Sequence, residues 1–280
     1  MKRIKIRRFC LRLVGHWGLW VIVAAVCFPL LWTVSTAFKP DNELFTVPPR
    51  LFPRYPTLEN FRLLFLMTNF LTYYKNSLIV SISTTLITIV IGTLAAYSST
   101  RFQSLLQRAF MRSILLYYMF APVILFIPLV VLFTRLQLDN TLYALILAHL
   151  TITLPFSIWL LRAIFSAIPI ELEEAVMVDG GNRIQSIIHV VLPNAMPGII
   201  STAIFAFILS WNDFVYSSTI ITQDRYRALA PGIAIFIEAS GVEWGFMMAA
   251  ATLTIIPVLV FFVFLQKHVV REFGAGALKQ

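Results

Sequence analysis

Apolar residues run through this chain in six long blocks, at about 14–38, 77–98, 112–134, 140–161, 196–220 and 245–266. Each is long enough to cross a bilayer as a helix, because about 20 residues at ~1.5 Å of rise span the hydrocarbon core. The pattern predicts an all-α polytopic membrane protein with six transmembrane helices. It divides the chain into an N-terminal tail (1–13), a first transmembrane helix (14–38), an external loop (39–76), a core of five helices (77–266) and a C-terminal tail (267–280). In the external loop, Pro48, Pro49, Pro53 and Pro56 predict an extended start, and 57–70 reads as a short surface helix. The segment 221–244 is polar around Gln223-Asp224-Arg225 and turns apolar at Ile233.

Composition agrees with the pattern. The chain is 59% hydrophobic and 12% charged, with a mean hydropathy of +0.83. Soluble domains carry about a quarter charged residues, so this chain has too little polar surface to cover a water-exposed globule. The net charge of +9 does not point to nucleic acid, because the basic residues flank the apolar blocks as topology signals do. An even number of spans puts both termini on one side. Fourteen of the 22 Lys and Arg then share that side with the termini: Lys2, Arg3, Lys5, Arg7, Arg8, Arg12, Arg101, Arg108, Arg112, Arg162, Arg183, Lys267, Arg271 and Lys279. Only Lys39, Arg50, Arg54, Arg62, Lys75, Arg135, Arg225 and Arg227 fall opposite. The positive-inside rule makes both termini cytoplasmic. The first block exceeds the ~7–15 residues of a signal-peptide core and reads as a retained helix.

The chemistry that the spans lack is informative. No Asp, Glu, Lys or Arg lies well inside a block; Arg112, Arg162 and Asp213 sit near predicted ends. Ion-coupled carriers usually keep such groups in the membrane, so a stand-alone secondary carrier or channel is the alternative reading. His149, beside Thr151 and Thr153, is read as an interhelical hydrogen-bonding residue, with proton shuttling as the alternative. His16, His149, His189 and His268 have no metal-ligand spacing, and Cys10 and Cys27 stand about 25 Å apart on one helix, beyond disulfide reach. No nucleophile constellation or phosphate-cradling Gly loop is present. The reading is a non-enzymatic subunit with no cofactor, whose energy comes from another chain. In the second block, Ser81, Thr85, Thr88, Gly92 and Ala96 recur every three or four positions. That small face predicts close helix packing, with a pore-lining role as the alternative.

The segment 169–194 carries the sharpest signal. Pro169 opens it, and Glu171-Leu172-Glu173-Glu174-Ala175-Val176-Met177-Val178 reads as a helix with acids at its positive start. Asp179-Gly180-Gly181-Asn182 breaks it, with a left-handed residue expected there. A second short helix, with Ile184, Ile187, Ile188 and Val191 on one face, is expected to end at Leu192-Pro193.

Glu174-Ala175-Val176, three residues, Gly180, nine residues, then Val190-x-Leu192-Pro193 resembles the EAA motif of ABC importer permeases, with Val176 for Ala and Val190 for Ile. Phe28-Pro29-Leu30-Leu31-Trp32, Thr57-Leu58-Glu59-Asn60-Phe61, Trp211-Asn212-Asp213-Phe214 and the tail Phe273-Gly274-Ala275-Gly276-Ala277-Leu278-Lys279 look like stretches of maltose-type sugar permeases. The resemblance implies a type I ABC importer permease in a bacterial inner membrane, surrounded by lipid and paired with a second permease as a heterodimer. Its further partners would be an ATPase dimer and an extracytoplasmic solute-binding protein that delivers a sugar or related solute. It also implies that Glu174, Ala175, Asp179, Gly180, Leu192 and Pro193 couple the chain to the ATPase. The tail would reach between the ATPases, and 222–243 would contact the binding protein. Trp211 and Asn212 are candidate pathway residues, with helix-end packing and capping as the competing reading.

Overall fold

Every long regular element among the described residues of this computed structural model is a helix, and none is a strand. The structure describes residues 2–102, 104–119, 122–240 and 244–277; side chains at 2–15, 115, 118–119, 122–125, 236–240 and 265–277 are not described. The helices are α1 (Lys2–Ala37), α2 (Asp41–Leu44), α3 (Glu59–Met67), α4 (Phe70–Arg101), α5 (Leu105–Met119), α6 (Pro122–Arg135), α7 (Leu142–Ser166), α8 (Glu171–Val178), α9 (Arg183–Ser186), α10 (Leu192–Trp211), α11 (Val215–Ile220), α12 (Leu229–Ser240) and α13 (Trp244–Ala277). The side chains of the C-terminal tail, expected to reach between the ATPases, lie outside the described residues.

Among the described residues, five stretches are long and apolar enough to cross a membrane: His16–Ala37, Phe70–Arg101, Leu142–Ser166, Arg183–Trp211 and Trp244–Phe264. The expected span 112–134 falls on α5 and α6, either side of residues 120 and 121, which lie outside the described residues. Trp17, Trp20, Val26, Phe28 and Leu31 of α1 are all more than half exposed. Such a helix surface is stable in hydrocarbon and not in water.

The chain divides into two units, Met1–Thr68 with Ile235–Ile256, and Asn69–Ala234 with Pro257–Gln280. In the first unit the Pro-rich loop is tied down by buried polar groups. Asn60 Nδ2 donates to the carbonyls of Ala37 and Lys39, both at 2.9 Å, which satisfies the end of α1. The Glu43 carboxylate accepts the backbone N–H of Arg54 (2.7 Å) and Tyr55 (3.1 Å). Lys39 Nζ donates to the Arg50 carbonyl at 2.7 Å and lies 4.3 Å from the Trp32 ring centre.

In the second unit α4, α7 and α10 pack on one another. The small face of α4 makes this possible: Ser81, Thr85, Thr88, Gly92 and Ala96 are all buried. Thr88 and Thr153 share a hydroxyl hydrogen bond of 2.8 Å across α4 and α7. On α10, Gly198 approaches α7 so closely that a Cβ would lie 2.0 Å from Ile164 Cδ1. The expected span 196–220 is broken after Trp211, because the Asp213 carboxylate accepts the backbone N–H of Tyr216 (3.3 Å) and Ser217 (2.9 Å) and so starts α11 as a separate helix.

Candidate functional site

The segment between α7 and α10 is built from local signals. Glu171, Glu173 and Glu174 occupy the first turn of α8, where the helix macrodipole favours carboxylates. At its far end the N–H of Gly180 donates to the Met177 carbonyl (3.2 Å) and that of Gly181 to Val176 (2.9 Å). These two bonds form a Schellman cap, which needs a left-handed residue. Gly180 supplies it with φ +88°, as the sequence predicts. Gly181 is constrained by space: a Cβ there would lie 2.8 Å from the Val176 carbonyl oxygen. Asn182 and Gln185 then form a reciprocal capping box at the start of α9.

The expected stop at Leu192-Pro193 is not a stop. A π-helical turn, Ile187–Val191, joins α9 to α10, so the backbone stays helical from Arg183 to Trp211. The wider turn places the Leu192 N–H on the Ile187 carbonyl, and Pro193 falls in the first turn of α10. There its missing N–H and its ring are tolerated. Val191 and Ala195 pack in a buried cluster with Ala96, Tyr97, Leu161, Phe165 and Ile168, so this junction is anchored on α4 and α7.

A residue that sequence reasoning passed over fixes the segment. Glu173 is 2% exposed and accepts hydrogen bonds from Tyr97 Oη (2.7 Å) and Arg101 Nε (2.5 Å). Arg101 also donates to the Ile168 carbonyl at 2.9 Å. The Arg183 guanidinium stacks 4.5 Å from the Phe102 ring centre. Glu174, Ala175, Asp179 and Gly180 point outward with Glu171. Leu172, Met177, Val178, Ile184 and Ile188 are exposed among them. The outer face is therefore mixed acidic and apolar, on a segment held from below by a buried ion pair.

At the opposite end of α10, Trp211 is 2% exposed, edge-on to Tyr74 and stacked on Phe207. Its ring offers no open face for a ligand in this structure. Asn212 is exposed, and its amide caps α10 by donating to the Ile208 carbonyl (3.0 Å). Asp213, near a predicted span end, turns inward, with Oδ2 3.2 Å from His149 Nε2, within ion-pair range but not aligned as a hydrogen bond. The other ring nitrogen of the buried His149 contacts Ser210 Oγ at 2.7 Å, in keeping with the interhelical role read from the sequence.

The polar segment after α11 is a fixed strap. Asn140, at φ 59°, accepts at Oδ1 from Thr222 N (2.7 Å), Thr222 Oγ1 (2.9 Å) and Gln223 N (2.8 Å). Asp224 accepts from Tyr73 Oη (2.6 Å) and Asn69 Nδ2 (2.5 Å) and pairs with Arg227. Asn76 donates to the carbonyls of Arg225 and Arg227. The Tyr73 hydroxyl, with Asn69 and Arg227, holds the Asp224 carboxyl below its ordinary range against the opposing effect of burial.

Comparison with known proteins places this architecture. Residues 88–274 match the family described as binding-protein-dependent transport system inner membrane component. The chain is 31% identical over 275 residues to the inner membrane ABC transporter permease protein YcjP of Escherichia coli K12, covering 98% of each. It is 35% identical to the trehalose/maltose transport system permease protein MalG of Thermococcus litoralis (92% of this chain, 94% of that one). It is 33% identical to the diacetylchitobiose uptake system permease protein DasC of Streptomyces coelicolor, with the same coverage. Among solved structures, a chain of a bacterial ABC transporter involved in the import of the acidic polysaccharide alginate superposes with a TM-score of 0.77 at 18% identity, covering 92% of this chain and 96% of that one. At that identity the likeness is one of fold.

Proposed function

The chain belongs to the family of binding-protein-dependent transport system inner membrane components, and from that premise we propose that it is a permease subunit of an ABC importer for a sugar or related solute, docking an ATPase at residues 169–194. The carbohydrate class is supported by relatives named for diacetylchitobiose and for trehalose/maltose transport. A related solved structure is an alginate ABC transporter in complex with a pentasaccharide-bound periplasmic protein, which supports delivery by an external binding protein. A second permease completes the pathway, and ATP hydrolysis resides in a separate ATPase pair. Both termini and α8 lie on the cytoplasmic side, where the basic residues concentrate; residues 222–240, which include the strap, lie outside. Asn212 is the better pathway candidate of the pair Trp211 and Asn212, because its amide is accessible while the Trp211 ring forms packed wall.

The single observation that carries the docking assignment is the outer face of α8 and α9. Glu171, Glu174 and Asp179 surround Leu172, Met177, Val178 and Ile184, which stand in the open. A basic, partly apolar cleft complements such a face, and desolvating its charges makes their loss costly, about 2–5 kcal/mol for a close pair. Leu192 and Pro193 act from behind, at the junction with α10. Glu174→Lys inverts one charge in the face. Gly180→Leu forces a side chain into the left-handed region, a local cost of about 1–2 kcal/mol that the helical bundle absorbs. Both variants should reach the membrane at normal abundance, lose uptake and lose ATPase on purification. Normal uptake at matched abundance would remove the docking role from that residue.

A further inference from the structure

A cationic cleft lies beside the docking segment and belongs to none of the roles above. Between the end of α4, the start of α5 and the end of α7 is a cleft of about 770 Å³. Two helix faces form its walls. Arg108, Met111 and Arg112 stand at i, i+3 and i+4 on α5, and Trp159, Arg162, Ala163 and Ser166 at i, i+3, i+4 and i+7 on α7. Gln107 fixes the α5 wall to α4 by donating to the Ser98 carbonyl (3.1 Å) and Ser98 Oγ (2.7 Å). The cleft is therefore a built feature of three packed helices.

Its electrostatics are one-sided. Three guanidinium groups line it, and none of its described lining residues is acidic. The first turn of α5 carries no carboxylate, so its positive helix end adds to the field. Glu173, on the same end of the bundle, is already held by Arg101 and Tyr97. Arginine in this density suits a phosphate group, which it grips in bidentate fashion.

Depth and rim identify the kind of molecule that carries the phosphate. α7 has 25 residues, about 37 Å against a hydrocarbon core of about 30 Å, so Arg162, four residues before its end, sits near the membrane boundary and its long side chain reaches headgroup level. Phe102 and Trp159, both in its lining, are exposed apolar surface. A polar phosphate alone gains nothing from an apolar rim; a headgroup with attached acyl chains uses both. We propose that this cleft is a binding site for the phosphate headgroup of an anionic phospholipid, gripped by Arg112 and Arg162, with its chains against the exposed Phe102 and Trp159.

The test is native mass spectrometry of the assembled transporter released from nanodiscs. Nanodiscs of phosphatidylcholine with phosphatidylglycerol should yield phosphatidylglycerol adducts on this subunit; phosphatidylcholine alone should yield none. Each lost charge-assisted contact is worth about tenfold. Arg112→Gln with Arg162→Gln should therefore reduce the adduct at least that much, and Arg112→Lys with Arg162→Lys, which keeps the charge, should retain part of it. If the double Gln variant fails to assemble, the Lys pair still has to weaken the adduct. Inorganic phosphate added to phosphatidylcholine nanodiscs should not be retained. Equal adducts in wild type and both double variants, equal retention of phosphatidylcholine, or retention of free phosphate in place of lipid would each overturn the proposal. So would the absence of any adduct, as expected if a neighbouring subunit fills the cleft.

Discussion

Removing the Glu173 carboxylate should free the docking segment while leaving the helical bundle standing. The Glu173 side chain is 2% exposed and that of Arg101 6% exposed, and truncating one member of such a pair strands the other in a poorly solvated site. That costs about 3–5 kcal/mol. The remaining tethers of α8 and α9 are weaker. The Arg183–Phe102 contact is worth about 0.5–1 kcal/mol at an exposed site, and the Ser186 hydroxyl reaches the Glu173 carbonyl only at 3.4 Å. Ser186 is fully buried under the segment, so a Ser186→Cys substitution reports opening through its rate of thiol labelling in inside-out vesicles. Even a third of the penalty, about 1.4 kcal/mol, is tenfold in an opening equilibrium. Glu173→Ala should therefore speed labelling at Ser186→Cys by at least about that factor. Adding Arg101→Ala removes the stranded charge and should bring the rate back below that of Glu173→Ala alone, a coupling expected only of interacting partners. Equal labelling in the wild-type and Glu173→Ala backgrounds, at matched abundance, would refute the claim that this pair anchors the segment.

The Asp224 strap should be pH-dependent in one direction. A carboxyl held below its ordinary pKa stabilises the folded strap above about pH 4, and that contribution is lost as pH falls through the lowered value. A spin label at Arg225 should stay immobile from pH 8 to 5 and gain mobility only in stronger acid, whereas Asp224→Asn should loosen it already at neutral pH. Energy coupling should follow ATP: the His149–Asp213 pair is tied to Ser210, Tyr216 and Ser217, an arrangement suited to holding α11 rather than cycling a proton. Uptake in proteoliposomes of the assembled transporter should survive an uncoupler, and uptake driven by a pH step without ATP would contradict this.

Much of the architecture is written in short-range pattern. Block lengths mark the spans, the small residues of α4 mark its buried face, and Asp179-Gly180-Gly181 marks the turn that a Schellman cap then makes. What the sequence hides depends on partners far along the chain. Glu173 and Glu174 are neighbours in an acidic run, and an eight-residue helix has too few apolar positions to fix its phase. Arg101, 72 residues earlier, decides which carboxylate turns inward. Asp213 reads as an end-of-span residue until His149 is found beside it. Pro193 reads as a helix stop because proline usually is one; a π turn just before it lets the helix continue.

Docking of an ATPase at residues 169–194 is the central claim, and cross-linking from its surface tests it most directly. Val178 is 86% exposed at the tip of α8, so a photo-activated cross-linker there touches whatever covers the segment. In membranes containing the assembled transporter, a covalent adduct with the ATPase is expected from position 178 and none from position 223 on the strap. An ATPase adduct from position 223, or none from position 178 in a transporter that is turning over ATP, would contradict it.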